Sequence, residues 1–288
     1  MKRILEIIKS RRKIELIFNF FLFKINEKVF FNRHSVYKKD NIEIDVVIPT
    51  ISKDFNTLEK SIRSTKFIMH KVCNIYIVSK TTNELLNFCT RNNVIFIDEE
   101  SVLGFPKSFI NYNFNGVDRS GWLYQQLIKL NSNRISNREN ILVLDSDTLF
   151  VKPIYFFYEN RPILYFGNEW YWQYHYSNFK LIGLKNQINY SFVVHFMIFN
   201  SKTLKRLKEE IEIINDSPWY SAIINLIKHK EDMSIFSEYE LYSNWCIKNE
   251  NPILKPVFNK KYNRNETLQS SQTRKFHTIS FHSYLADD

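Results

Sequence analysis

Residues 141–150 (ILVLDSDTLF) constrain the fold most, because four apolar residues run directly into two carboxylates. A run with no polar residue on either face is typical of a strand buried on both sides of a parallel sheet. Asp145 and Asp147 then stand at its carboxyl end, where open α/β sheets bind ligands, and such a pair can hold a hard divalent cation through oxygen. The structural alternative is that Asp145 ends the strand and Asp147 caps the next turn.

Strands and helices alternate from residue 45 onward, which indicates a parallel sheet with right-handed crossovers. Thr81 followed by Glu84 predicts a capping box at the second helix. Short apolar runs and helical spacing predict strands at 45–50, 74–80 and 94–98, a strand that ends at Asp145, and helices at about 57–69, 81–92 and 122–132.

The second half has a different character, and we expect a mixed sheet there. Ser201 is predicted to cap one helix, and two others are predicted to begin at Pro218 and Ser237. Strands are expected at 162–166 and 192–200, and the tail predicts one last strand that passes back toward the site. The fold class is therefore α/β, with a Rossmann-like, mainly parallel sheet flanked by helices.

Composition limits the class of protein. With only 5 Gly and 7 Pro in 288 residues, the chain is neither disordered nor modular. The balance of 40 basic against 30 acidic residues gives a net charge of +10, which favours an anionic partner, although solvated surface lysines explain much of it. Cys73, Cys89 and Cys246 have no metal-binding spacing, so we expect buried thiols in a reducing compartment.

The amino-terminal segment is basic and amphipathic. Residues 1–13 are rich in Lys and Arg, and apolar residues then recur at helical spacing from Ile14 to Ile25. The apolar stretch is too short to span a bilayer, and no signal-peptide cleavage site follows it. A helix lying on an anionic membrane surface and a helix packed on its own domain both remain open. We expect residues 1–43 to form this segment and 44–288 a single domain, with a nucleotide-binding half (44–150) and an acceptor half (151–288).

Four motifs carry a resemblance to a known class of enzymes. DVVIPT as a first strand and LDSD after an apolar strand resemble the nucleotide-binding half and DxD motif of GT-A-type nucleotide-sugar glycosyltransferases. A narrower resemblance is to a bacterial family assigned to the glycosyltransferases and catalogued mainly as a family of unknown function, whose members carry GWxxQQxxKL, DSDxxF, HxM and SEYExY. The corresponding residues here are 121–130, 145–150, 195–197 and 237–242.

The resemblance implies a metal-dependent transfer of sugar from a nucleoside-diphosphate sugar. It implies Asp147 as the direct ligand of Mn²⁺ or Mg²⁺, Asp145 as a contact of the ribose and of the metal, and Thr50 near the base. Many GT-A enzymes add a late histidine to the metal, which makes His282 the expected third ligand and His277 the alternative. Lys80, at the end of the second strand, either faces the nucleotide or is solvated.

An acceptor hydroxyl needs a base if the reaction inverts the anomeric centre, because an alcohol is a poor nucleophile until its proton is being removed. The segment 237–242 (SEYELY) offers two carboxylates. Ser237 and Glu240 form a capping-box pattern, so Glu238 is the candidate catalytic base. The structural alternative for Glu238 is a first-turn acid favoured by the helix dipole.

Two further groups are candidates for sugar contacts, and His195 is a further candidate for the metal shell. Gln125 shares one helix face with Trp122, Gln126 and Lys129, where amides and an indole can line a sugar pocket. The alternative is a half-buried helix that uses its leucines for the core. His195 lies in an apolar run and is more often a hydrogen-bonded core residue than a ligand. The aromatic residues of 170–176 either stack on an acceptor sugar or build core.

Two rival functions belong to other classes. A haloacid-dehalogenase-type phosphatase also places DxD after an apolar strand, but usually on the fold's first strand, and two or three strands precede the motif here. A non-enzymatic protein that binds anionic surfaces explains the charge but not the buried strand that ends in two acids. No nucleic-acid-binding signature appears. By resemblance, we expect a cytoplasmic bacterial enzyme, peripheral on the inner membrane face, that adds sugar to a saccharide or glycolipid acceptor of surface glycan such as lipooligosaccharide or capsule.

Overall fold

The structure is a computed structural model that describes residue 21 and residues 41–51, 54–167, 169–228, 234–263 and 276–282. The strands within these residues are β1 (Glu43–Pro49), β2 (Lys71–Ser79), β3 (Ile95–Asp98), β4 (Asn113–Phe114), β5 (Val117–Asp118), β6 (Asn140–Leu144), β7 (Thr148–Phe150), β8 (Phe157–Tyr158), β9 (Arg161–Phe166), β10 (Phe196–Asn200), β11 (Ile253–Pro256), β12 (Asn259–Asn263) and β13 (Thr278–His282). The α-helices are α1 (Phe55–Ser64), α2 (Asn83–Asn92), α3 (Glu99–Leu103), α4 (Ser120–Leu130), α5 (Trp172–Ile182), α6 (Ser201–Asn215), α7 (Trp219–Lys228) and α8 (Glu238–Asn249).

A five-stranded sheet in the order β10-β6-β1-β2-β3 forms the centre of the described fold. β6, β1, β2 and β3 are parallel, and β10 pairs with β6 in the antiparallel direction. This confirms the predicted mixed, mainly parallel α/β sheet flanked by helices. The parallel order follows from the alternation of strands with helices along the chain.

The two central strands are buried on both faces, as the apolar runs VVIP of β1 and ILVL of β6 predict. Every residue of β6 after Asn140 is buried, and so is every residue of β1 after Ile44. Ile44 itself, Val47 and Leu142 are fully buried in the same large core. A polar residue inside such a strand must be bonded within the protein, as Asp45 is by Asn74 and Ser136, so a ligand is expected where the strands end.

The tail returns to the DSD segment, as predicted. β13 pairs with β7 in the antiparallel direction and with β12 in parallel. The register sets Ser280 opposite Thr148, and the backbone nitrogen of Phe281 donates to the carbonyl of Asp147 at 2.9 Å. The small sheet β12-β13-β7 therefore brings residues more than a hundred positions apart to the end of β6.

Several element boundaries differ from the prediction. The first residue of α2 is Asn83 and its N-cap is Thr82, which accepts from the backbone nitrogen of Leu85, while the Thr81 hydroxyl donates to Asp98 instead. The N-cap of α6 is Asn200, one residue before the expected Ser201. β10 covers only Phe196–Asn200. It does not extend back to residue 192, because His195 takes a left-handed backbone conformation with φ of 69° just before the first residue of the strand.

The predicted amino-terminal amphipathic helix lies outside the described residues except for Phe21. Of the cysteines, Cys89 and Cys246 are buried and all three are free thiols. No helix among the described residues combines the length and the apolar character needed to cross a membrane.

Candidate active site

The DSD segment lies at the carboxyl edge of the central sheet, beside the end of β1. The chain runs from β1 to β2 and β3 on one side, and β6 lies on the other side of β1. The crevice between β1 and β6 is therefore a topological switch point, the place where open α/β sheets bind ligands. Thr50 follows β1 and Asp145 follows β6 at this crevice. The topology thus brings these two predicted site residues to one edge.

The turn after β6 fixes the two acids in different settings. The backbone nitrogen of Thr148 donates to the carbonyl of Asp145 at 3.0 Å, and the buried hydroxyl of Ser146 donates to Asp54 Oδ2 at 2.9 Å. Ser146 is therefore the residue of the motif that faces the interior. Asp147 is half-buried at the start of the β7 pairing.

A buried lysine holds the carboxylate of Asp145. Lys129 Nζ on α4 lies 2.6 Å from Asp145 Oδ1 and 2.8 Å from Glu238 Oε1, and it sits 4.6 Å from the ring centroid of Tyr239. The Tyr239 hydroxyl also donates to Asp145 Oδ1 at 2.9 Å. Burial opposes the charge on Lys129, but the two carboxylates outweigh it and raise the pKa of the ammonium.

His195 bridges Asp145 to a second acid. Its Nδ1 lies 3.2 Å from Asp145 Oδ2, its Nε2 lies 3.3 Å from Glu169 Oε1, and Lys261 Nζ approaches Glu169 at 2.5 Å. Burial disfavours imidazolium, yet the hydrogen bonds to Asp145 and Glu169 prevail and raise the pKa of His195 to about 10. The ring is therefore a cation at neutral pH, with each nitrogen facing a carboxylate.

The surroundings lower the pKa values of two acids of this site and raise that of the third. Burial disfavours ionised Asp145, but Lys129 and His195 overcome it and keep its pKa well below the usual range. Burial likewise opposes the charge of Glu169, and His195 with Lys261 lowers its pKa to about 2. Burial of Glu238 is only partly offset by Lys129, so its pKa is raised. Lys129, Asp145, Glu169, His195 and Glu238 are hereafter the charged cluster.

Glu238 occupies the position expected from the sequence, at the start of α8. Ser237 is the N-cap and accepts from the backbone nitrogen of Glu240 at 3.3 Å. Glu238 is only 2% exposed. In the amide orientation that satisfies both of its polar atoms, Gln126 donates to Glu238 Oε2 at 2.8 Å. The carboxylate is thus fixed by Lys129 and Gln126 together.

Glu240 departs from the predicted capping box. Its side chain does not return to the N-cap but accepts from the Ser191 hydroxyl at 2.9 Å and from the backbone nitrogen of Phe192 at 2.8 Å. Asn244 donates to its second oxygen at 3.2 Å. Burial raises its pKa to about 7 against these hydrogen bonds. Glu240 therefore ties α8 to the segment before β10.

The other predicted nucleotide contacts lie around the same edge. Gln125 Nε2 donates to the carbonyl of Pro49 at 3.3 Å, at the end of β1. Thr50 is buried, and its backbone nitrogen donates to the Val78 carbonyl at 2.9 Å. Lys80 follows β2 and is exposed. These positions line the ends of adjacent strands, which is compatible with the nucleotide-contact prediction for all three.

The histidines of the tail occupy opposite ends of β13. His277 precedes the strand and stacks on Phe258, with ring centroids 5.9 Å apart. His282 ends the strand, and its backbone pairs with Asn263 one residue beyond the contact of Phe281 with Asp147. The side chain of His282 lies outside what the structure describes, so its role as a metal ligand stays a prediction.

The described side chains offer only part of a metal site. Among them, no three His, Cys, Asp or Glu residues are grouped to hold a metal ion. Asp145 accepts from three side chains, which leaves acceptor capacity on one oxygen, and Asp147 supplies a second carboxylate. Mg²⁺ is commonly bound by one or two carboxylates together with substrate phosphates. The donor set therefore fits a cation shared with a bound diphosphate.

The aromatic segment before and within α5 divides into core and surface. Tyr174 is buried, whereas Tyr171 and Trp172 are 46% and 53% exposed. Glu169 of the charged cluster stands just before these rings in sequence. The exposed pair is thus available for an acceptor, and Tyr174 belongs to the core.

Sequence reasoning missed part of the charged cluster. It placed Lys129 among pocket residues but did not pair it with two acids, and it gave no role to Glu169 or Tyr239. The available signal was a lysine within the apolar stretch of 127–130 (LIKL), because a lysine is almost never fully buried unless it is paired. Nothing in the local sequence identifies which carboxylate that is.

The chain matches a family model, and its fold is similar to those of solved structures. The model of DUF6492, described as a family of unknown function, matches residues 42–284. A search of curated proteins finds no match.

Two solved glycosyltransferases have a similar shape. Mouse xyloside xylosyltransferase 1 in its apo form matches with a TM-score of 0.42 and 11% identity, over 84% of this chain and 99% of that one. The galactosyltransferase LgtC, in complex with donor and acceptor sugar analogues, matches with a TM-score of 0.44 and 12% identity, over 83% of this chain and 87% of that one. The chemistry has to be argued from the residues of the site itself.

Proposed function

We propose that this chain, which belongs to the DUF6492 family of unknown function, is a glycosyltransferase that uses a nucleoside-diphosphate sugar. The observation that carries the proposal is the position of Asp145 and Asp147 at the switch point between β1 and β6. Asp145 is kept ionised and fixed by three donors, which is how a protein prepares a carboxylate to hydrogen-bond a ligand hydroxyl such as that of a ribose.

The proposed reaction joins an acceptor hydroxyl to the sugar of the donor. The acceptor hydroxyl oxygen forms a bond to the anomeric carbon, the bond from that carbon to the diphosphate breaks, and the diphosphate leaves with the electron pair. For the proton of the hydroxyl we retain Glu238 as the base, because burial has already moved its pKa upward, toward the range in which a carboxylate removes a proton near neutral pH.

Asp147 with the remaining oxygen capacity of Asp145 would hold Mn²⁺ or Mg²⁺, and His282 is the proposed third ligand. A cation there supplies charge neutralisation for the departing diphosphate without any proton transfer. Because the described protein ligands are few, metal affinity should be weak for the free protein and strengthened by a nucleoside diphosphate. Titration with Mn²⁺ in the presence and absence of UDP measures that difference.

Other predicted residues are proposed to contact the nucleotide and the acceptor. Thr50, Lys80 and Gln125 are proposed to contact the nucleotide, and the exposed Tyr171 and Trp172 to contact the acceptor. The net charge of +10 supports an acceptor held near an anionic membrane, and we extend the proposal to a glycolipid or other saccharide acceptor of bacterial surface glycan on the cytoplasmic side.

The test is a donor-hydrolysis screen across UDP-, GDP- and CDP-sugars with Mn²⁺. Asp147→Asn should lower turnover by about a hundredfold or more without unfolding the protein. Asp216→Asn at the end of α6 is the matched control and should keep wild-type turnover, since asparagine tolerates the left-handed φ of 45° there.

Glu238→Gln separates the base from the rest of the site. If Glu238 is the base, acceptor transfer falls by roughly a hundredfold or more. Loss of turnover in Asp147→Asn alone would retain the cation site and remove Glu238 from the mechanism. Phosphate release from a simple phosphomonoester with no sugar release from any donor would favour the phosphatase, and no turnover of either substrate would favour a binding protein.

A further inference from the structure

A second cavity lies away from the charged cluster. It has a volume of about 900 Å³ and is enclosed by α3, the turn that follows α4, α6 and the start of α7. Its polar lining includes Asn131, Asn133, Arg134, Lys205 and Lys208. We call it the cationic cavity. None of the residues that line it belongs to the charged cluster, so it needs an explanation of its own.

Lys208 is a buried cation whose hydrogen-bond partners are neutral. The residue is 8% exposed, and its Nζ donates to Asn131 Oδ1 at 2.8 Å and to Asn133 Oδ1 at 2.6 Å. Its Nζ also lies 5.3 Å from the ring centroid of Trp219. An ammonium has three donor hydrogens, so two amide oxygens leave one unused. Two neutral amides orient the charge of Lys208 but do not neutralise it.

Arg134 adds a second positive charge to the same wall. Across the described part of the chain, neither Arg134 nor Lys208 has a carboxylate partner. Burial and, after it, the charge of Arg134 lower the pKa of Lys208 to about 8, against the opposing charge of Glu212. The cavity that both side chains line is large enough for a small molecule.

The two acids that line the cationic cavity offset part of its positive charge, and each also has another partner. Glu209 pairs with Lys205 on the same helix at 3.8 Å. Glu212 Oε1 accepts from the backbone nitrogen of Trp219 at 3.2 Å, at the start of α7. The lining thus holds three basic and two acidic side chains, a net charge of +1, and neither Lys208 nor Arg134 has an ion pair among the described residues, which favours an anionic ligand.

We propose that the cationic cavity binds a small molecule carrying a phosphate group. A phosphate monoester is a dianion near neutral pH, with oxygens that accept from a guanidinium and an ammonium at once. Tyr220, half-buried in the same wall and packed on Phe105 with ring centroids 5.0 Å apart, gives the remainder of the ligand a ring to rest on. The site is distinct from the donor site and stands whether or not the chain transfers sugar.

Calorimetric titration with inorganic phosphate and with glucose 6-phosphate tests the proposal. Both should bind wild-type protein, the sugar phosphate more tightly, and acetate should bind much more weakly because it carries one charge. Lys208→Met and Arg134→Gln should each weaken phosphate binding by roughly tenfold, the loss of one charge-assisted hydrogen bond.

Two variants keep the test decisive. Arg134 is exposed, so Arg134→Gln leaves the fold intact even if Lys208→Met does not. Lys202→Gln, on the same helix but with its side chain 80% exposed and paired with Glu139, is the matched control and should bind phosphate as the wild type does. Absence of phosphate binding to the wild type, or equal affinity in Arg134→Gln and Lys202→Gln, would overturn the proposal.

The pH profile provides an independent readout. The charged and titratable groups around Lys208 are Arg134 on the turn after α4, Lys205, Glu209 and Glu212 on α6, and Tyr220 on α7. Phosphate affinity should fall as pH rises above about 8, because Lys208 then loses its proton. The fall should be absent in Lys208→Met, and a wild-type profile that is flat through this range would contradict the role of Lys208.

Discussion

Lys129 and Lys208 are both buried lysines, but the regions that hold them differ in what surrounds the ammonium. In the charged cluster, Lys129 touches two carboxylates, Asp145 and Glu238, and its pKa is raised against the cost of burial. In the cationic cavity, Lys208 touches two amides, and burial lowers its pKa to about 8. Burial alone therefore does not decide the state of a charge. The partner does. With Lys261, the charged cluster holds three basic and three acidic side chains, whereas the cationic cavity holds three basic and two acidic ones.

Removing the lysine of the balanced region should have the largest effect. Lys129→Met leaves Glu238 as a buried acid without a cation and Asp145 with His195 as its one remaining cation, and we expect a loss of about 3 to 5 kcal/mol in the free energy of unfolding. Urea denaturation measures it. The loss should be smaller at about pH 5 than at about pH 8, because protonation of Glu238 relieves the repulsion.

A double variant sharpens this prediction. Lys129→Met with Glu238→Gln removes the carboxylate left without a cation and should recover part of the stability lost in Lys129→Met alone. Lys202→Met at the surface should change stability by less than about 0.5 kcal/mol. A loss for Lys129→Met no larger than this control would mean that the cluster is not held by charge pairing.

The bridging histidine should have an intermediate effect that depends on pH. His195→Asn keeps a residue that accepts the left-handed φ of 69° but removes the cation between Asp145 and Glu169. A base whose pKa is raised to about 10 in the native state, against about 6.5 unfolded, stabilises fully below about pH 6.5 and loses this contribution as pH rises toward 10. We expect about 2 to 3 kcal/mol of destabilisation near pH 6, vanishing near pH 10.

Urea denaturation of wild type and His195→Asn across pH measures this contribution. A stability difference that stays constant from about pH 6 to about pH 10 would show that His195 contributes packing and not charge.

The lysine of the unbalanced region should have the smallest effect on stability. Lys208→Met removes a charge that burial already disfavours, so we expect a change within about 1 kcal/mol near pH 7. Because the native pKa of about 8 lies below the ordinary 10.5, the unfolded chain binds more protons between these values, and wild-type stability should rise with pH there.

Denaturation of Lys208→Met over the same pH range checks the sign. The variant should lack the rise seen in wild type. A destabilisation by Lys208→Met as large as that of Lys129→Met would remove the distinction between the two regions.

The strands of the sheet can be predicted from short stretches of sequence, because each stretch carries its own apolar run. The apolar runs VVIP of β1 and ILVL of β6 predict strands buried on both faces, and both strands are buried. For the same reason Asp145 could be placed at the carboxyl edge, and Glu238 at the first turn of a capped helix. The boundary errors arise where one residue's conformation decides, as with the left-handed His195 that shortens β10.

The contacts of the site could not be predicted because they join distant parts of the chain. Lys129 pairs with Glu238 over more than a hundred residues, and Glu169 reaches Lys261 from a segment whose aromatic sequence gave no helix prediction. Each of these side chains could pair with several others, and the order of the strands decides which one lies nearby. The amphipathic helix expected at the amino terminus falls outside the described residues and stays a prediction.

A crystal structure with Mn²⁺ and a nucleoside diphosphate tests the central proposal most directly. We expect manganese, located by anomalous scattering, beside Asp147, with the diphosphate in the crevice between β1 and β6 and the ribose near Asp145. A structure in which Asp145 and Asp147 contact neither ion nor nucleotide, with the ligand bound elsewhere or absent at saturating concentration, would contradict the assignment of this edge as the donor site.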